Sequence, residues 1–265
     1  MTVVFEADGV RAEVDPDNGA RLISLRFGGH EVLATGHTAA GERIGDGCFP
    51  MAPWAGRVGG GRIEYDGVTA MLPVREDGNA IHGLVRSIPW AQADSSSFVC
   101  NVDAPWPVPG TVRLRYTATP GSLAVELSWE GGGDFPFSLG LHPWFLKTLA
   151  TGETLQPDLD LVEMFQRGPD HLPTGRLVPV SPGPWDDCFR MGRSPVLHWA
   201  DALSLRLEST SPWWVVYDEP AYSTCVEPQT APPDAFARES LRPEGDWPRT
   251  LILTMTAIDA KQISR

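Results

Sequence analysis

The stretch VRLRYTATPGSLAVELSW, residues 112–129, decides the fold. Val112, Leu114 and Tyr116 alternate with Arg113, Arg115 and Thr117. After the turn signal TPGS, Leu123, Val125, Leu127 and Trp129 repeat the alternation. A period of two places one set of side chains on a single face of an extended chain, and Pro-Gly between two such runs marks a reversal. The pattern predicts two half-buried antiparallel strands. It recurs at Ile23, Leu25 and Phe27, at Leu203, Leu205 and Leu207, and at Leu251, Leu253 and Met255. Between the runs, 27 Gly and 25 Pro supply turns and discourage long helices. The one short helical window is DAFARES, residues 234–240. No internal repeat or low-complexity tail is present, and the Pro-rich segments 101–110 and 179–186 read as loops. The expectation is an all-β chain, a large antiparallel β-sandwich, with residues 1–265 as a single domain; sandwiches of this length are common as one unit.

Composition narrows the function. Lys plus Arg is 21 against 34 Asp plus Glu, a formal charge of −13. Broad nucleic-acid or anionic-membrane binding needs a positive field, so neither partner is expected, although one basic pocket stays compatible. No run reaches the roughly 18 apolar residues that span a bilayer, and the N-terminal MTVVFEADGVRAEV lacks a basic start and an apolar stretch. Cys48, Cys100, Cys188 and Cys225 show no CxxC spacing, which suits reduced thiols and a cytoplasmic location.

Four segments carry candidate chemistry. FPMAPWAGRVGGGRIEYDG, residues 49–67, presents Arg57 among Trp and Gly, and a hairpin turn is expected at Gly59 to Gly61 because no helix follows to complete a phosphate loop. NAIHGLVRSIPW, residues 79–90, carries His82. SLGLHPWF, residues 138–145, carries His142 directly before a proline. PWDDCF, residues 184–189, sets Asp186 and Asp187 against aromatics. A fifth, VEPQTAPPDAF at 226–236, repeats the feature of His142, because Glu227 precedes Pro228. A residue before proline is pushed into an extended conformation, which aims its side chain. Ionisable groups in apolar strands cost several kcal/mol unless paired, so one convergent polar site explains them better than five separate accidents. The flanking Trp54, Trp90, Trp144, Phe145, Trp185 and Phe189 suit the C–H face of a sugar.

Competing chemistries lack their motifs. His82 and His142 do not have zinc-ligand spacing, so no metal is expected. No GxSxG and no dinucleotide fingerprint is present, which leaves no cofactor to name. Schiff-base chemistry would fall to Lys147 or Lys261, the only lysines.

These segments resemble the aldose 1-epimerases (galactose mutarotase family) over nearly the whole chain. PWAGRV is similar to the family's PWPNRI segment, with Gly56 where the family has asparagine. IHGLVR, LHPWF, WDDCF and VEPQTAPPDAF are similar to its remaining site motifs. The resemblance implies a galactose mutarotase-like supersandwich and a sugar substrate. It further implies Arg57, His82 and Asp186 (with Asp187 the lesser choice) as substrate-binding residues, His142 as general acid and Glu227 as general base. Glu227, ionised, would take the proton of the C1 hydroxyl while His142, near its ordinary pKa of about 6.5, protonates the ring oxygen. The ring opens, the C1–C2 bond rotates, and reclosure gives the other anomer. The two groups are expected on opposite sides of the hemiacetal. HGLVR and Trp90 also resemble the hexose-phosphate mutarotases, for which Arg57, Arg62, Arg86 and Lys147 are candidate phosphate ligands. A non-catalytic carbohydrate-binding protein is the third reading.

Overall fold

In the computed structural model, which describes residues 1–131 and 133–259, two large antiparallel sheets face each other. The opening stretch forms strands Gly110–Thr119 and Ser122–Gly131, paired in the register its alternation requires: Val112 opposite Trp129, Leu114 opposite Leu127, Tyr116 opposite Val125. These strands sit in an eight-stranded sheet ordered Ala91–Gln92, Ser97–Val102, Gly110–Thr119, Ser122–Gly131, Thr250–Ala257, Leu203–Ser209, Val196–Trp199, Leu155–Asp158.

The second sheet has eleven strands. Its central run is Arg21–Phe27, Cys48–Met51, Gly140–Leu146, Ser223–Gln229, Trp213–Tyr217 and Asp186–Met191, with Val3–Ala7, Val10–Asp15 and His30–Glu31 towards one edge and Leu161–Arg167 and Pro173–Val178 towards the other. The core lies between the sheets. Leu114, Leu127 and Leu253 from the smaller sheet meet Leu22, Leu141, Phe145 and Val226 from the larger, all at most 1% exposed. Tyr116 bridges the layers by donating its hydroxyl to the carbonyl of Ala20 at 2.6 Å.

Three sequence expectations are corrected. In Arg21–Phe27, Leu22, Leu25 and Phe27 are buried while Ile23 is half-buried. A bulge between Glu13 and Val14 against this strand skips Ile23 and switches the parity, as one extra residue must. The window 234–240 forms turns and a single 3-10 turn at Glu239–Leu241, and no α-helix occurs among the described residues. Gly59–Gly61 forms a tight turn, with Gly60 and Gly61 at φ 59° and 63°, that does not close a hairpin, because Arg57–Val58 pairs with Ala80–Ile81 while Arg62–Tyr65 pairs with Val68–Met71. Lys261 lies outside the described residues. None of the described helices is long and apolar enough to cross a membrane.

Candidate active site

The strands Gly140–Leu146 and Ser223–Gln229 are neighbours, with Gly140 opposite Gln229 and Trp144 opposite Cys225. This register sets His142 directly across from Glu227, and His142 Nε2 lies 3.1 Å from Glu227 Oε1. His142 also pairs with Phe49, and Glu227 pairs with Val215, which in turn pairs with Cys188. Phe49, His142, Glu227, Val215 and Cys188 therefore form one row across five strands, on the face turned away from the smaller sheet. All five line a cleft of about 370 Å³.

Pro143 and Pro228 stand immediately behind the pair, in central strands, where each removes a ladder donor. The pre-proline position keeps His142 and Glu227 extended. They project side by side from adjacent strands, so the expected placement on opposite sides of a substrate is corrected.

Burial dominates the electrostatics. His142 is 4% exposed and Glu227 2%. Loss of water raises the Glu227 carboxyl well above its ordinary value, and the Asp186 charge adds to this. Loss of water likewise holds His142 well below 6.5, helped by Arg43 and Arg86. Burial thus disfavours the charged form of both groups and works against the ionised Glu227 expected from sequence. A neutral pair and an ion pair share a feature: each holds one proton, and they differ in which end of the 3.1 Å contact carries it. His142 Nδ1 and Glu227 Oε2 are buried without a partner.

The remaining predicted residues converge on the same cleft. Arg57 and His82 come from the short ladder in which Arg57 pairs with Ile81. His82 adopts φ 62°, unusual for a residue with a Cβ, and its N–H donates to Gly56 O at 2.9 Å. Only glycine fits next to it, because a Cβ on Gly83 would lie 2.0 Å from Ala52 O. The His82 ring meets His142 edge-on at 4.9 Å, and its Nδ1 has no partner. Arg57 Nη1 reaches Asp186 Oδ2 at 3.2 Å and its Nε reaches Asp77 at 3.3 Å. Register separates the two aspartates. Asp186 pairs with Tyr217 and Tyr217 with Cys225, which gives Asp186 the same facing as Glu227. Asp187 pairs with Val216 and has the opposite parity; its carboxylate meets Arg167 at 3.5 Å.

With this geometry in view, the chain can be set beside known proteins. The family model for aldose 1-epimerase matches residues 1–251. The chain belongs to the aldose 1-epimerase family. An uncharacterized Escherichia coli K12 protein, YphB, is 25% identical over 226 residues, covering 75% of this chain and 76% of its own. A galactose mutarotase-like protein from Clostridium acetobutylicum superposes with a TM-score of 0.79 at 16% identity, over 96% of this chain and 94% of that one. An aldose epimerase homologue from Caenorhabditis elegans gives 0.75 at 15%, over 97% and 98%. At such identities the structural likeness speaks for the fold alone.

Within this aldose epimerase fold several cleft residues escaped the sequence. Gln229 is fully buried, and both ends of its amide lack partners. It lies two residues beyond Glu227, hence on the same face, which was the available signal. Gly56, at φ 64°, leaves no room for the family's asparagine, since a Cβ there would stand 2.7 Å from Pro233 Cγ; Gln229 Oε1 is 3.4 Å from that position. The Gln229 amide therefore occupies the neighbourhood an asparagine would serve. Of the expected aromatics only Trp144 lines the cleft, stacked on His142 at 5.3 Å. Trp54, Trp90 and Phe145 belong to the main core, and Trp185 and Phe189 to a smaller cluster, whereas Phe49, Phe165 and Tyr217 do line the cleft. Arg62 pairs with exposed Glu64, and Lys147 pairs with Asp218 at 3.1 Å; neither borders the cleft. Cys225 Sγ, His142 and Glu227 place ligand atoms within 4.8 Å of one another. Burial raises that thiol well above its ordinary value, away from the thiolate a metal would require.

Proposed function

We propose that the chain interconverts the α and β anomers of an aldose, with Glu227 and His142 exchanging protons with the C1 hydroxyl and the ring oxygen. The observation that carries this reading is the buried pair itself: two proton-transfer groups 3.1 Å apart, each with an unpartnered atom, in one cleft. A binding protein has no need of an acid beside a base, and keeping both out of water is costly.

Ring opening removes a proton from O1 and adds one to O5, so the protein must both accept and supply. A pair holding one proton does this without net change. Before reaction the proton moves along the short contact from Glu227 to His142. Glu227 then takes the O1 proton, His142 delivers its own to O5, and the C1–O5 bond breaks to give the aldehyde. After rotation about C1–C2, the reverse transfers close the ring on the other face. O1 and O5 share one carbon, so donors placed side by side serve both. Each transfer is worth ~10²–10⁴ in rate. Arg57, His82, Asp186 and the Gln229 amide are placed to hold hydroxyls, and Trp144 and Tyr217 to cover the apolar ring face.

The test is two-dimensional exchange NMR on equilibrated glucose, galactose and other aldoses, which reads α–β interconversion without isolating an anomer. The expected result is exchange far above the buffer rate for at least one sugar. A panel of neutral and charged aldoses that all exchange at the buffer rate would retire the reading.

A further inference from the structure

We propose that the sugar taken by this cleft carries an anionic group, phosphate or carboxylate, remote from its anomeric carbon, and that Arg75 and Arg86 bind it. This rests on the epimerase reading above. In a chain of net charge −13, five arginines line one cleft: Arg43, Arg57, Arg75, Arg86 and Arg167. Three are matched by carboxylates. Arg43 pairs with Asp46, Arg57 with Asp77 and Asp186, and Arg167 with Asp186 and Asp187.

Arg75 and Arg86 are different. Among the described residues no carboxylate stands within ion-pair distance of either guanidinium. Arg86 lies over the Phe49 ring at 5.4 Å, beside the catalytic row. It is half-buried, and loss of water together with the charges of Arg75, Arg21 and Arg43 disfavours its charged form. Asp46 offsets part of this, but it is already shared by Arg43 and Arg21. A half-buried cation among other cations is costly unless an anion joins it. Guanidinium donors match phosphate and carboxylate geometry.

Position agrees with charge. Arg57, Arg75, Ile81 and Arg86 also line a second groove of about 1020 Å³ that adjoins the cleft. Arg75 and Arg86 thus stand where the two spaces meet, with room for a substituent to project from the ring. Glu76 and Asp77 border the second groove only, and Asp77 is taken up by Arg57, so no carboxylate at the junction is left for Arg75 or Arg86.

The experiment compares kcat/KM for anomer exchange of glucose 6-phosphate, glucuronate and glucose by exchange NMR at low salt. At least one anionic sugar is expected to exceed glucose by about 10–100-fold, the range for a hydrogen bond to a charged group. That ratio is expected to collapse in Arg86→Gln and in Arg75→Glu; the second alters an exposed side chain and does not threaten folding. Preference for the phosphate alone or the uronate alone identifies the source of the charge. Glucose equal to both anionic sugars, or a preference that survives both variants, would overturn the proposal. If wild type exchanges no sugar, the epimerase reading has failed. Calorimetric titration of the two anionic sugars then decides the anion site: binding lost in the arginine variants sustains it, and absence of binding removes it.

Discussion

The strands Gly140–Leu146 and Ser223–Gln229 present two faces that differ in almost every physical respect. One face carries Leu141, Phe145 and Val226, each at most 1% exposed and packed into the main core. The other carries His142, Trp144, Glu227 and Gln229, equally buried as residues but with orphaned polar atoms on all four. Both faces are shielded from water, yet only one has its hydrogen bonds complete. The first face stabilises the fold. The second spends some of that stability on groups held ready for something the protein itself does not supply, the usual condition of a site built for a ligand.

The sharpest way to break this contrast is to alter each face in turn. Glu227→Gln keeps the shape but removes the proton acceptor, and anomer exchange is expected to fall ~10²–10⁴-fold while the thermal midpoint holds or rises. Exchange at the wild-type rate would take Glu227 out of the chemistry. On the core face, Phe145→Ala is expected to cost about 3–5 kcal/mol in denaturant unfolding. Activity per folded molecule should change far less than in Glu227→Gln; a loss as large would mean that the two faces are not separable.

Register gives a smaller effect. Asp186 shares the facing of Glu227 and Asp187 does not, so Asp186→Asn is expected to raise KM about tenfold, the loss of one charge-assisted hydrogen bond. Asp187→Asn should raise it less, and the opposite order would contradict the parity assignment.

The smallest effect concerns pH. Glu227 titrates higher in the folded chain than unfolded. Between those values the native state binds more protons, so this group's contribution to stability declines as pH rises. Glu227→Gln removes the decline, and its stability relative to wild type is expected to grow from pH 4 to pH 8, by about 1.4 kcal/mol for each unit of raised pKa that the window covers. For activity, depressed His142 takes up a second proton only below about 6.5. The acid limb of kcat/KM should therefore lie below that value, and a limb at 6.5 or above would contradict a neutral resting imidazole.

Much of this was legible beforehand because period two is a strong signal. The alternation of residues 112–129 fixed a pairing that the fold keeps. Glu227-Pro228 and His142-Pro143 marked two aimed groups, and the same parity rule reaches Gln229. What was hidden depended on long-range register and loop packing. A bulge reassigned Ile23, and the aromatic neighbours were sorted into core or cleft by the strands beside them. Arg75 comes from a loop whose approach to Arg86 no local pattern encodes. The directions in which burial shifts His142 and Glu227 were hidden for the same reason, since reference pKa values describe groups in water and burial depends on the whole sheet.

The central claim is that His142 and Glu227 act as one unit sharing one proton. A double-mutant cycle on anomer exchange tests it most directly, using His142→Asn, Glu227→Gln and both together. The expected result is that each single change costs nearly as much as the double. Losses that multiply would show two groups acting independently and would contradict the account.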